Sequence, residues 1–189
     1  MPRGARIDTP GTMFFLHLKV IRTEDALIER YARRWFATSG SSSPALHVFW
    51  AAQAKFNDKG FLSRDISVKE IIEHSGDIHH IFPRQYLKEN GISQSQYNQV
   101  ANYVYVQQEI NIKVGKRSPA DSIGQIREQC QSGKLAFNGI DTLSDFEANL
   151  EANCIPGNIY EMTLEDYEVF LGVRRSLMAQ KIKRYYQNL

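Results

Sequence analysis

Apolar residues recur three and four positions apart over most of this chain, the period of amphipathic helices, and only one central stretch reads as strands. After Thr23, the residues Leu27, Tyr31 and Trp35 line one face, with Glu24 and Asp25 at the positive end of the predicted helix. "SGSSSP" interrupts the pattern. Ser43 then suits an N-cap and Pro44 a first helical position, which predicts a helix carrying Leu46, Phe49, Trp50 and Ala54 inward and stopping near Gly60. Ser67 and Glu70 have capping-box spacing and open a short helix bearing Val68, Ile71 and Ile72, ended by Gly76.

The middle of the chain changes period. "DIHHIFP" and "NYVYVQQ" favour strand, and "RQYLKENGI" between them reads as a helical turn closed by Gly91. "EINIKVGK" follows as a short helix ended by Gly115, and Ser118 with Pro119 starts another that runs to about Cys130. "TLSDFEANLEANCIPGN" predicts a helix broken at Pro156. The last helix is opened by Thr163 and Asp166 and carries the stripe Leu164, Tyr167, Leu171, Met178, Ile182 and Tyr185. The expected fold is therefore α+β and predominantly helical, with one small hairpin unit in the middle. Residues 1–22 read as a tail or an incomplete N-terminal segment, and residues 23–189 as a single helical domain.

Composition narrows the function only a little. A net charge of +2 is far from the basic excess of a protein that coats nucleic acid, so any phosphate-binding surface must be local. Residues 172–189 are one candidate: Arg174, Arg175, Lys181, Lys183 and Arg184 occur there without an acid. The same cations also suit the negative end of a helix dipole. Cys130 and Cys154 form no C-x-x-C pair, which argues against a zinc ribbon and for two reduced thiols in a cytoplasmic protein. No apolar run approaches the ~20 residues of a membrane span. The early patch "TMFFLHLKVI" runs at once into Arg22, Glu24 and Asp25 without a small-residue cleavage site, so no signal peptide is expected.

The chemistry concentrates between Asp77 and Pro119. His79 and His80 sit side by side on an extended segment stopped by Pro83; Asn102 lies at the edge of the second strand; Asn111 follows nine positions later on the predicted helix. Hydrolysis of a phosphodiester asks for such a set. The attacking water must lose a proton near neutral pH, for which imidazole, with an ordinary pKa of ~6.5, is suited. Charge grows on phosphate and leaving oxygen and calls for a cation. Imidazole nitrogen and amide oxygen can hold that cation, and a second amide can lock the base in one orientation.

"HHIFP" resembles the motif that opens many HNH (ββα-metal) nucleases, and "NYVYVQQEINIKVGK" resembles their hairpin and metal-binding helix, including the nine-residue Asn–Asn spacing. More specifically, "RYARRWFATS", "ANYVYVQQEINIKVGKRSPADSI" and "DYEVFLGVRRSLMAQKIKRYYQNL" resemble the C-terminal nuclease half of GmrSD-like, modification-dependent (type IV) restriction proteins. The resemblance spans roughly residues 25–189 and places the nuclease core at about residues 66–131. It implies an HNH endonuclease that cuts DNA, in defence against foreign or modified DNA. It implies His80 as general base, Asn102 as the residue holding base and loop, and His79 and Asn111 as ligands of one divalent cation. That cation would be Mg2+ or a transition ion such as Mn2+, Co2+ or Ni2+. Two departures from the family pattern concern the metal: Asn111 stands where the family name has His, and His79 where Asp is frequent. The family's nucleotide-binding N-terminal half carries a "DGQ"-type signature that this chain lacks, so the resemblance implies either a stand-alone nuclease or a C-terminal part whose nucleotide-binding partner is a separate domain or subunit.

Arg84, Lys113, Lys116 and Arg117 surround these residues with positive charge and are the candidate contacts to DNA phosphate. Plainer readings stand beside each assignment. Paired histidines at a strand end are often simply satisfied polar residues, Asn102 suits a turn, and Asn111 could cap its own helix. Asp77 could be an extra acidic group near the metal, though a Gly-Asp turn explains it as well. His17, His47 and His74 have no partner at ligand spacing, and the aromatics Trp35, Phe49, Trp50, Tyr185 and Tyr186 read as core. Adjacent strand residues face opposite ways, so both histidines can serve one site only through a twist, a bulge or a place at the strand's end. Rival functions are a non-catalytic nucleic-acid-binding subunit with a vestigial site, and an RNA-cleaving, toxin-like nuclease.

Overall fold

The fold is that of a computed structural model, which describes residues 34, 36–37, 40–74, 76–134 and 139–189. The helix expected after Thr23, with Leu27, Tyr31 and Trp35, and the N-terminal tail lie outside the described residues.

Helix α1 spans Pro44–Lys55 with Ser43 at its N-cap and Pro44 in its first turn, as the sequence predicts. It buries Leu46, Phe49 and Trp50 but ends five residues before Gly60. Gly60 instead packs closely on Ile71. A Cβ there would stand 2.3 Å from Ile71 Cδ1, so any side chain at this position must push the tip of Ile71 aside or move the loop. Helix α2, Val68–Glu73, carries the predicted capping box, with Glu70 N–H donating to Ser67 Oγ and Ser67 N–H to the Glu70 carboxylate.

Strand β1 (Ile78–His80) and strand β2 (Tyr103–Tyr105) pair antiparallel in the register Ile78–Tyr105, His79–Val104 and His80–Tyr103. Between them lie helix α3 (Arg84–Glu89), helix α4 (Gln94–Tyr97) and a 3-10 turn, Val100–Asn102. Helix α5, Gln108–Val114, follows and closes on Gly115, whose φ of +63° suits glycine. Helix α6 (Pro119–Ser132) is capped by Ser118, helix α7 (Leu143–Ala152) by Thr142. The 3-10 turn Leu164–Asp166, held by a Thr163–Asp166 capping box, leads into helix α8, Tyr167–Gln187. The described molecule is thus mostly helical with a two-stranded antiparallel sheet, an α+β arrangement. No described helix is long and apolar enough to cross a membrane.

Helix α8 is the mast of the core. Its predicted stripe is inward at Tyr167, Leu171, Met178 and Ile182, and Phe170 joins it. Phe82, in the turn after β1, is fully buried against Tyr167 and Phe170 at ring separations of 5.1 and 4.9 Å. Trp50 of α1 packs on Tyr105 of β2 at 4.6 Å. Both cysteines are free thiols, as expected.

The basic C-terminal stretch is not one phosphate-binding surface. Arg174 is fully buried and donates from Nη1 to Ala101 O at 2.7 Å. Lys181 is buried as well; its Nζ reaches Asp58 Oδ2 at 2.5 Å and donates to Ala152 O at 2.7 Å. These two cations are spent inside the fold, since a buried charge must find partners.

Candidate functional site

β1 ends at His80, so the two histidines occupy the last rungs of a short hairpin, before the buried turn Ile81, Phe82 and Pro83. Asn102 ties that turn to the segment before β2. Its backbone oxygen accepts from Ile81 N–H at 2.9 Å and its Oδ1 from Phe82 N–H at 2.9 Å. Its Nδ2 donates to Phe82 O at 3.1 Å and to Tyr97 O at 3.3 Å. The side chain is fully buried and replaces a rung of sheet that the turn cannot supply. Asn102 therefore ties the turn after His80 to the segment before β2, and its side chain makes no hydrogen bond to the His80 ring.

The residue touching the His80 ring is Asn98, whose Oδ1 lies 3.1 Å from Nε2. Tyr103 and Tyr97 flank the ring edge-on, with centroids 4.9 and 6.1 Å away. Burial lowers the pKa of His80; the hydrogen bond to Asn98 opposes this, and the charges of Arg84 and His79 add to it. A lowered pKa favours the neutral imidazole, the form that can accept a proton. Sequence reasoning missed Asn98, because an asparagine just after a four-residue helix has a local explanation as its C-cap.

His79 stands opposite Val104, on the other face of the pleat from its neighbour. Its Nε2 is buried and has no hydrogen-bond partner among the described residues. Burial lowers its pKa, and the nearby Asp77 carboxylate pulls the other way. A buried imidazole nitrogen without a partner is costly, and in the tautomer that leaves Nε2 unprotonated its lone pair can meet a cation. Asn111 lies in the first turns of α5, half-buried, and no hydrogen bond among the described residues engages its amide. Asp77 is the charged group that acts on His79, whereas Asn111 lies on a different element, α5, and no hydrogen bond joins it to His79 among the described residues. Among the described residues no cluster of three His, Cys, Asp or Glu side chains occurs.

The cations around the site are unequal. Arg84 is exposed at the start of α3 and its charge reaches His80. Lys113 is exposed on α5. Lys116 faces Glu89 at 3.6 Å in an exposed pair. Arg117 donates to Lys113 O at 2.9 Å and to Gln125 Oε1 at 3.0 Å, bracing the end of α5 against α6. Beside Asn111 on α5, Ile112 is 69% exposed.

Comparison with models of known families, with curated proteins and with solved structures gave no match.

Proposed function

We propose that this chain is a metal-dependent endonuclease of the HNH type, hydrolysing phosphodiester bonds of DNA as part of a defence against foreign or modified DNA. The observation that carries the reading is His80 at the end of β1, ring-flanked and hydrogen-bonded to Asn98, preceded by a His79 whose buried Nε2 has no partner among the described residues. An oriented imidazole suits a base, and His79, on the opposite face at the strand's end, would serve the same site through the twist of the chain there. Two strands that pair across an intervening helical segment and lead into α5, with Asn102 stitching the turn, are compatible with the same reading.

In this mechanism His80 takes a proton from water as the water oxygen bonds to phosphorus, and the bond from phosphorus to the leaving sugar oxygen breaks. His79 Nε2 and Asn111 Oδ1 would hold the cation, which when bound supplies positive charge to phosphate and leaving oxygen. Arg84, Lys113 and Lys116 draw the DNA backbone to the site.

The test is cleavage of supercoiled DNA and of RNA, side by side, with Mg2+, Mn2+, Co2+ or Ni2+ added to chelator-treated protein. We expect DNA cleavage that depends on the ion and falls ~10²–10⁴-fold in His80→Ala, while DNA binding stays near wild type. RNA cleaved in preference to DNA would transfer the mechanism to the other substrate. Absence of cleavage with every ion, or a His80→Ala rate within a few-fold of wild type, would overturn the proposal.

A further inference from the structure

The contact at His80 Nε2 decides more than the ring's orientation. An amide oxygen can only accept, so Nε2 must carry the proton in the 3.1 Å contact with Asn98 Oδ1. The lone pair is then left on Nδ1. Asn98 is itself held on both sides. Its backbone N–H donates to Gln94 O at 3.0 Å. Before it, Tyr97 O accepts from Asn102 Nδ2, and Gln96 O accepts from Tyr167 Oη at 3.0 Å. After it, Gln99 Oε1 accepts from Arg175 Nη2 at 3.0 Å and Ala101 O from Arg174. Helix α8 thus pins residues 96–101, and that segment presents one amide to one imidazole.

We propose that Asn98 is the positioning residue for His80: by accepting the Nε2 proton it fixes the ring and its tautomer, leaving Nδ1 as the nitrogen that takes the proton from water. The catalytic consequence rests on the nuclease reading; the tautomer does not. A residue that fixes a base through one hydrogen bond typically contributes ~10–100-fold in activity.

The experiment combines two readouts. In metal-free protein labelled with 15N-histidine, at a pH where imidazole is neutral, long-range 1H–15N spectra report which ring nitrogen bears the proton. His80→Gln identifies the His80 signals. We expect wild type to show a single Nε2–H tautomer at His80, Asn98→Ala a mixture of tautomers, and Asn98→Asp, which keeps the acceptor, the wild-type form. In the cleavage assay Asn98→Ala should lower kcat about 10–100-fold with little change in KM, and Asn98→Asp should recover much of it. An Nδ1–H tautomer in wild type, or a His80 spectrum unchanged by Asn98→Ala, overturns the proposal. Should Asn98→Ala fail to fold, the wild-type and Asn98→Asp spectra decide the tautomer by themselves. If no variant cleaves nucleic acid, the spectra still decide what Asn98 does, and the nuclease reading alone falls.

Discussion

Among the proposed ligands His79 departs most from an oxygen-rich metal site, and its buried Nε2, unpartnered among the described residues, makes the departure chemical as well as sequential. Magnesium prefers oxygen ligands in near-ideal octahedral geometry, whereas imidazole suits first-row transition ions. Manganese, cobalt or nickel should therefore support cleavage at lower concentration than magnesium. His79→Asp should move the preference back towards magnesium, because a carboxylate brings hard oxygen and negative charge. The check is a titration of cleavage rate against each ion, for wild type and mutant at one pH. Magnesium saturating first in wild type, with no change in His79→Asp, would remove His79 from the ligand set and leave Asp77 as the group to examine. Asn102 shows how a side chain can serve a purpose that its type alone does not announce. A turn-forming asparagine and one whose side chain holds three backbone groups at the end of a hairpin look alike in a sequence, and only the partners Phe82 and Tyr97 tell them apart.

At the scale of elements, α5 joins the proposed ligand Asn111 to the cations at its end. Lys116 gives up little by leaving Glu89, since an exposed pair is weak and screened by salt. Lys113→Gln and Lys116→Gln should each lower the slope of log affinity for DNA against log salt by ~0.9. Slopes equal to wild type would make them bystanders. Arg117 is committed to Lys113 O and Gln125, so Arg117→Gln should loosen the α5–α6 junction as well as binding. Gly60 gives a second test at this scale. Because its Cβ would meet Ile71 Cδ1, Gly60→Ala forces the loop away from α2 or displaces Ile71. Thermal unfolding should show a loss of about 1–3 kcal/mol, as overpacking does. An unchanged midpoint would mean that Ile71 moves aside freely.

Across the whole molecule, α8 holds the parts in place through polar contacts that its apolar stripe does not reveal. Lys181 and Asp58 form a buried pair in which desolvation raises the pKa of Asp58 against the pull of Lys181 and Arg184. Removing one partner strands the other: Lys181→Met should cost about 3–5 kcal/mol in urea unfolding, and Asp58→Leu with Lys181→Met should regain most of it. A cost below about 1 kcal/mol for the single change would show that the pair is solvated. Sequence alone determined the local layer of this protein. The Ser67–Glu70 box, the Ser43–Pro44 start, the glycine stop at Gly115, the stripe of α8 and the change of period around "DIHHIFP" are all legible, because their physics acts within a turn of helix or along one strand. Tertiary structure decided which distant groups meet. Asn98 reaches His80, Arg174 reaches Ala101, and Asn149 accepts from Leu62 N–H at 2.8 Å while donating to Gly60 O and Ser63 O. Arg174 and Ala101 lie 73 positions apart along the chain, and Leu62 and Asn149 lie 87 apart. A polar side chain at such a distance takes whichever buried backbone group the packing leaves unsatisfied, and that choice is made by the assembled core and by no local pattern.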